Sequence, residues 1–155
     1  MHQLSDYIQA SIIEGHQIAS GANTESPFKS GSVEMQAPYF LERGLDISVY
    51  YAATINLSIS PKTFNLYNPE YKFEKVHWSA SLPAEDFSFS KCGIKYQDQY
   101  YSGLIYYPHP ETKVIHFQSR SVIETLMPFM PNLEYETRVD FYYNPKEIET
   151  LDPNC

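Results

Sequence analysis

Residues 50–60, Y-Y-A-A-T-I-N-L-S-I-S, decide how the rest of the chain folds. Ile55, Leu57 and Ile59 alternate with Thr54, Asn56 and Ser58, the period of a strand with one apolar and one polar face. Tyr50 to Ala53 form the loop that enters it, and Pro61 closes it. A hydroxyl at Thr54 and an amide at Asn56 therefore stand side by side at the start of a strand. Such neutral oxygen donors suit a hydrated hard cation or a phosphate. The plainer reading is the polar face of a half-buried strand.

Working outward, the pattern stays β-rich. Residues 64–67 and 71–78 alternate. In the second, Tyr71, Phe73, Lys75 and His77 fall on one side and Lys72, Glu74, Val76 and Trp78 on the other. Neither side is wholly apolar, which predicts an edge hairpin. Residues 85–96, E-D-F-S-F-S-K-C-G-I-K-Y, predict a strand with a bulge near Gly93. Gln97-Asp98-Gln99 is a turn before a strand over residues 100–107. The connector P-H-P-E-T-K leads to a returning strand over residues 114–118. Residues 121–129 read as strand or short helix, and residues 138–143 as the closing strand. Upstream, Ile8, Ile12 and Ile13 at helical spacing, with Ser5 as cap, predict a short helix over 4–13. Residues 14–20 predict a first strand. A second helical piece is expected over 36–45, with Pro38 in its first turn and Gly44 as its stop. Residues 144–155 read as a polar tail. One domain is expected over 1–155, built as a small closed β-barrel of about residues 14–143 with one or two short helices.

Composition agrees with a packed β-rich domain. The chain has 155 residues, of which 43% are hydrophobic, with 14 tyrosines and 9 phenylalanines. Its formal charge of −8 argues against non-specific nucleic-acid binding, which needs a basic surface, and against acidic membranes. Two cysteines, Cys92 and Cys155, give neither a zinc spacing nor a disulfide framework. The first residues lack the basic and apolar runs of a secretory signal, and no apolar stretch approaches the ~20 residues of a membrane span. A cytoplasmic location is the expectation.

Taken in order, several pieces resemble the archaeal CTP-dependent riboflavin kinases, a cradle-loop β-barrel family. That family carries a glycine-rich S-G-x-G-E-G loop, a P-G-T-L-N signature and a late V-I-E-V-I-A-P segment. Here Ser20-Gly21 stands at the first, Ala53-Thr54-Ile55-Asn56 at the second, and Val122-Ile123-Glu124-Thr125-Leu126-Met127-Pro128 at the third. The resemblance runs from about Gly15 to Tyr143. It implies Mg²⁺ and nucleotide phosphates at Thr54 and Asn56, and a base at Glu124. It also implies a ligand-covering loop over residues 21–31 in which Gly21, Asn23, Glu25 and Lys29 meet the ligand. The chain departs from the pattern at the glycines: G-A-N-T-E-S replaces the glycine-rich loop, and Ala52-Ala53 replace Pro-Gly.

Two functions follow as expectations. One is a Mg²⁺-dependent phosphotransferase acting on a nucleotide or flavin-like small molecule, with Lys29, Arg43, Lys113 and Arg120 as its few candidate cations. The other is a module that binds such a ligand without chemistry. A third reading places a metal-dependent site, or further ligand contacts, on the connector, where His109, Glu111, Lys113 and His116 fall within eight positions. The exposed edge at 71–78 would alternatively pair with another protein chain. Glu85 and Asp86 are adjacent on a strand and point to opposite faces, so they do not form an acid–base pair. His77 and Trp78 offer ring surfaces, and Tyr50, Tyr51, Tyr100, Tyr101, Tyr106 and Tyr107 are candidates for the wall of an aromatic cleft.

Overall fold

In a computed structural model, which describes residues 4–13, 32–109 and 120–153, the alternation at the centre of the chain becomes β2 (Thr54–Ser58). The other elements are β1 (Asp6–Ile13), α1 (Ser32–Glu42), β3 (Thr63–Asn65), β4 (Tyr71–Val76), β5 (Glu85–Tyr96), β6 (Gln99–Pro108), β7 (Val122–Leu126), β8 (Arg138–Tyr143) and β9 (Glu149–Leu151). The sheet runs β4-β5-β6-β7-β2-β1-β8, and β8 returns to pair with β5. Six antiparallel strands thus bond in a ring, and β4 hangs on its edge. Among the described residues no helix is long and apolar enough to cross a membrane.

The pairings assign every side chain to one face of the ring. Ile12, Leu57, Ile123, Ile105, Ile94 and Phe141 come from all six strands and pack in one cluster, so their shared face is the inner one. The outer face carries a second cluster. Phe87, Phe89, Leu104, Tyr106 and Leu126 supply the sheet side, and α1, the loop after it and β4 cover them with Val33, Phe40, Leu45, Ile47, Phe73 and Val76. Thr54, Asn56 and Glu124 belong to this outer face, opposite Leu57 and Ile123.

Several expectations are corrected by this arrangement. Residues 6–13 are a strand, not a helix. An isolated helix of that length is marginal, whereas β1 finds partners on both sides, β2 and β8, and Ile8, Ala10 and Ile12 share the inner face. The ring therefore begins at Asp6, ahead of the expected start near residue 14. The region after β8 is not a free tail: Ile148 is buried and β9 pairs with β3. The bulge lies in β4, where the register shifts between Phe73 and Val76 and Lys75 takes φ 55°. That extra residue turns Phe73 and Val76 to the same covered face, which strict alternation had separated. Through Gly93 the β5–β6 register is unbroken. The proposed strands over 14–20 and 114–118 lie outside the described residues.

Local chemistry explains the ends of the elements. Helix α1 starts before the expected position, so Pro38 lies inside it rather than in its first turn. It ends in a Schellman closure, with Leu45 N donating to Phe40 O at 3.0 Å and Gly44 N to Leu41 O at 3.0 Å. Gly44 takes φ 98° there, a conformation that lacks a Cβ clash only for glycine. The β5–β6 hairpin turns on Gln97 (φ 52°) and Asp98 (φ 63°), a two-residue connection whose twist matches that of its strands.

Cys92 sits on the inner face, fully buried, and burial pushes its thiol far above the ordinary cysteine range. The thiolate is the reactive form. In a Cys155→Ser variant, native protein is therefore expected to resist alkylation at mildly alkaline pH and to react once denatured. Rapid labelling of the native state, followed by mass spectrometry, would contradict this placement.

Candidate functional site

The start of β2 opens into a cavity of about 450 Å³, within the ordinary range for small-ligand pockets. Thr54 and Asn56 line it, together with Ile13 at the end of β1 and the β7–β8 connection at Phe129, Asn132 and Tyr135. The connection is shaped by two left-handed residues, Asn132 (φ 62°) and Glu136 (φ 66°). It is tied to the ring by Ile12 N donating to Thr137 O at 2.9 Å, and by Tyr96 Oη donating to Asn132 O at 2.5 Å. Tyr51 N donates to Met127 O at 2.9 Å, which sets the Tyr51 ring 5.5 Å from Phe129. These aromatic side chains stand unusually open for their size, Phe129 at 66% exposure, and form the rim.

Among the described residues, none that lines the cavity carries a charge. The polar groups are few, and one of them is unsatisfied. Asn56 is 6% exposed, and its Oδ1 is buried with no hydrogen-bond partner among the described residues. A buried acceptor left in that state costs about 1–3 kcal/mol.

Glu124 is the cross-strand partner of Asn56, on the same face and with Cβ atoms on the order of 5 Å apart. It does not line the cavity. Its charge is felt instead at Tyr106. Burial first, then the charges of Glu124 and Glu85, raise the Tyr106 hydroxyl well above the usual tyrosine range. That hydroxyl donates to Gln36 Oε1 of α1 at 2.6 Å.

His109 is not brought to the same place. Thr54 pairs with Leu126, which pairs in turn with Leu104, and the chain runs four residues further along β6 before leaving it at Pro108, on the order of 13 Å. His109 N donates to Asp86 O at 2.9 Å, and its Nε2 lies 2.6 Å from Ser88 Oγ. Its ring packs edge-on against Tyr107. Glu111, Lys113 and His116 lie outside the described residues, as do Gly21, Asn23, Glu25 and Lys29. Among the described residues no three His, Cys, Asp or Glu side chains group as a metal site.

Of the other residues singled out in the sequence, Trp78 Nε1 donates to buried Glu85 Oε2 at 2.9 Å, and Asp86 Oδ1 accepts from Lys75 N at 2.9 Å. Both carboxylates thus hold β4 and its flank onto β5. The six tyrosines do not share one cleft. Tyr51 rims the first cavity, Tyr50 and Tyr100 line another, and Tyr101, Tyr106 and Tyr107 pack in the two cores. What the sequence did not flag is the β7–β8 connection, which supplies nearly half of the described cavity lining; its local signal is a run of Pro, Asn and aromatic residues at 128–135. Comparison with protein-family models and with curated proteins returns no match.

Proposed function

We propose that the protein is a binding module of cradle-loop barrel type for a small, flat, uncharged ring system such as a flavin-like heterocycle or a nucleobase, held at Asn56. The observation that carries this reading is the buried Asn56 Oδ1, which among the described residues has no partner and stands in a cavity with an uncharged lining. The ligand presents an N–H to that oxygen, stacks between the Tyr51 and Phe129 edge and the apolar floor, and leaves any phosphate outside. Titration with riboflavin and with cytidine tests this. Both the phosphorylated and unphosphorylated forms are expected to bind, with similar affinity. Asn56→Leu, which keeps the volume and removes the acceptor, is expected to weaken binding about 10- to 100-fold, the equivalent of one buried hydrogen bond. It should cost little stability, because an orphaned oxygen goes with it. Absence of binding and of thermal stabilisation by any of these compounds would end this reading.

A second reading rests on the Asn56–Glu124 pairing. Thr54, Asn56 and Glu124 offer a hydroxyl, an amide oxygen and a carboxylate, an all-oxygen set of the kind that suits Mg²⁺. When bound, that ion would neutralise charge on a transferring phosphoryl group. Within such a site Glu124 would accept a proton from the acceptor hydroxyl, and Thr54 and Asn56 would orient the oxygens around it. Incubation with CTP or ATP, riboflavin and Mg²⁺ separates the two readings. Flavin mononucleotide and nucleoside diphosphate would support the phosphotransferase; binding without turnover would support the module.

A further inference from the structure

Strand β5 changes partner along its length. Residues 85–89 are held by β4 and residues 92–95 by β8, so Ser90 and Lys91 stand at a fork between two strands. Glu70 N donates to Ser90 Oγ there at 3.2 Å. The fork opens into a cavity of about 610 Å³ lined by Tyr50, Glu70, Lys91, Tyr100, Ser102 and Glu147, among others, and among the described residues it shares no lining with the cavity at Thr54 and Asn56.

Its best-fixed group is Glu147, in the turn that follows β8. Glu147 N and Ile148 N both donate to Asn144 O, at 2.9 and 3.1 Å, and Asn68 N donates to Glu147 O at 3.0 Å. Tyr67 Oη donates to Pro145 O at 2.7 Å and Asn68 Nδ2 to Lys146 O at 3.2 Å, so the turn is clamped from outside. Glu147 Oε2 accepts from Asn144 Nδ2 at 3.1 Å. Glu147 Oε1 is buried and has no partner among the described residues. A carboxylate can only accept, and a desolvated carboxylate oxygen without a donor is costly.

The surrounding charges point the same way. Glu70 is the second carboxylate, and its ion pair with Lys91 spans 3.8 Å to a side chain 67% exposed, a contact of small energy. Tyr50 and Tyr100 add rings, and burial raises both hydroxyls above the usual range, so they stay protonated. The chain's charge of −8 draws cations toward the surface.

We propose that this fork binds a small organic cation carrying N–H donors, a primary ammonium or a guanidinium, with Glu147 Oε1 as its acceptor and Tyr50 and Tyr100 as ring walls.

Calorimetric titration of the full chain with butylamine and butylguanidine, against tetramethylammonium, potassium and calcium chlorides, tests it. The two N–H cations are expected to bind at least about tenfold tighter than tetramethylammonium, which offers charge without donors. Glu147→Gln keeps the Asn144 contact and removes the charge, and is expected to lose about tenfold or more in affinity. Ser102→Phe provides an independent check, since it fills the cavity from an exposed position on β6 without touching the turn; it should abolish binding in a normally folded protein. Equal binding of tetramethylammonium, displacement of the amines by calcium, unchanged affinity in Ser102→Phe, or no binding of either N–H cation would each overturn the assignment.

Discussion

Gly103→Ala is expected to be among the most damaging single-methyl additions in the chain, with a loss of ~3 kcal/mol or more in unfolding free energy. A Cβ at this position would lie 2.1 Å from the Leu126 carbonyl oxygen and 2.7 Å from Met127 Sδ. Leu126 is backbone of β7, and β7 pairs with β6 at the very next residue, Leu104. Relief therefore requires two strands of the ring to separate, and a ring cannot open at one seam without straining the others. Gly93→Ala is the matched control. Its added methyl would meet Tyr100 Oη at 2.0 Å, but that atom is the far end of a side chain 43% exposed. Tyr100 can swing away, so a loss of about 1 kcal/mol or less is expected. Chemical denaturation of the two variants checks the contrast, and equal losses would refute it. A Gly103→Ala protein that fails to accumulate in soluble form while Gly93→Ala does is the same result in a harsher form.

Phe40→Ala is expected to cost ~3–5 kcal/mol, a large part of the ~5–15 kcal/mol that holds a domain folded. Phe40 is fully buried. Its ring meets Phe87 and Phe89 edge-on at 5.0 Å each and stacks on Phe73 at 5.9 Å, so one residue ties α1 to both β5 and β4. The helix has little of its own to keep it formed. Pro38 removes one backbone donor from its interior, and eleven residues are too few for a stable helix in isolation. The loss should therefore appear as a lower denaturation midpoint together with a weaker helical signal in circular dichroism. Leu41→Ala, one position on and well exposed, is expected to change stability by less than about 0.5 kcal/mol. No residue of α1 lines the cavity at Asn56, so ligand affinity per folded Phe40→Ala molecule should be unchanged. A Phe40 variant as stable as the Leu41 variant would remove the argument.

How far the chain could be understood beforehand varied from element to element. The bounds of β5 and β8 were legible to the residue. In β8, Val139, Phe141 and Tyr143 alternate without interruption, whereas in β5 the apolar residues change face between Phe89 and Cys92, which suggested a bulge that the register does not contain. β1 was ambiguous: Ile8, Ile12 and Ile13 fit helical spacing as well as Ile8, Ala10 and Ile12 fit a strand, and only β2 and β8 on either side choose between them. Lys75 gives no local warning that it adopts a left-handed conformation, and the bulge it makes reverses the face of Val76, the last residue of β4. The residues after β8 looked polar because Ile148, their buried apolar anchor, is isolated among Pro, Lys and Glu.

For the candidate site the division is similar. Alternation alone placed Thr54 and Asn56 on one face at the start of a strand. It could not place Glu124 opposite Asn56, since that depends on the register of β2 against β7, and it could not place His109 past the level of Thr54, beyond the end of β6 at Pro108. Nor could it show that Asn56 Oδ1 and Glu147 Oε1 are buried without partners among the described residues. Period and turn chemistry are local properties of the chain, and they determined that this protein is mainly β, where most strands run, and which of their faces are apolar. Partner choice, register and closure of the ring depend on contacts between residues far apart in sequence, whose energies exist only once the strands have met. Those contacts decided that the polar face of β2 opens beside a cavity whose described lining is uncharged, and that a second cavity forms where β5 passes from β4 to β8.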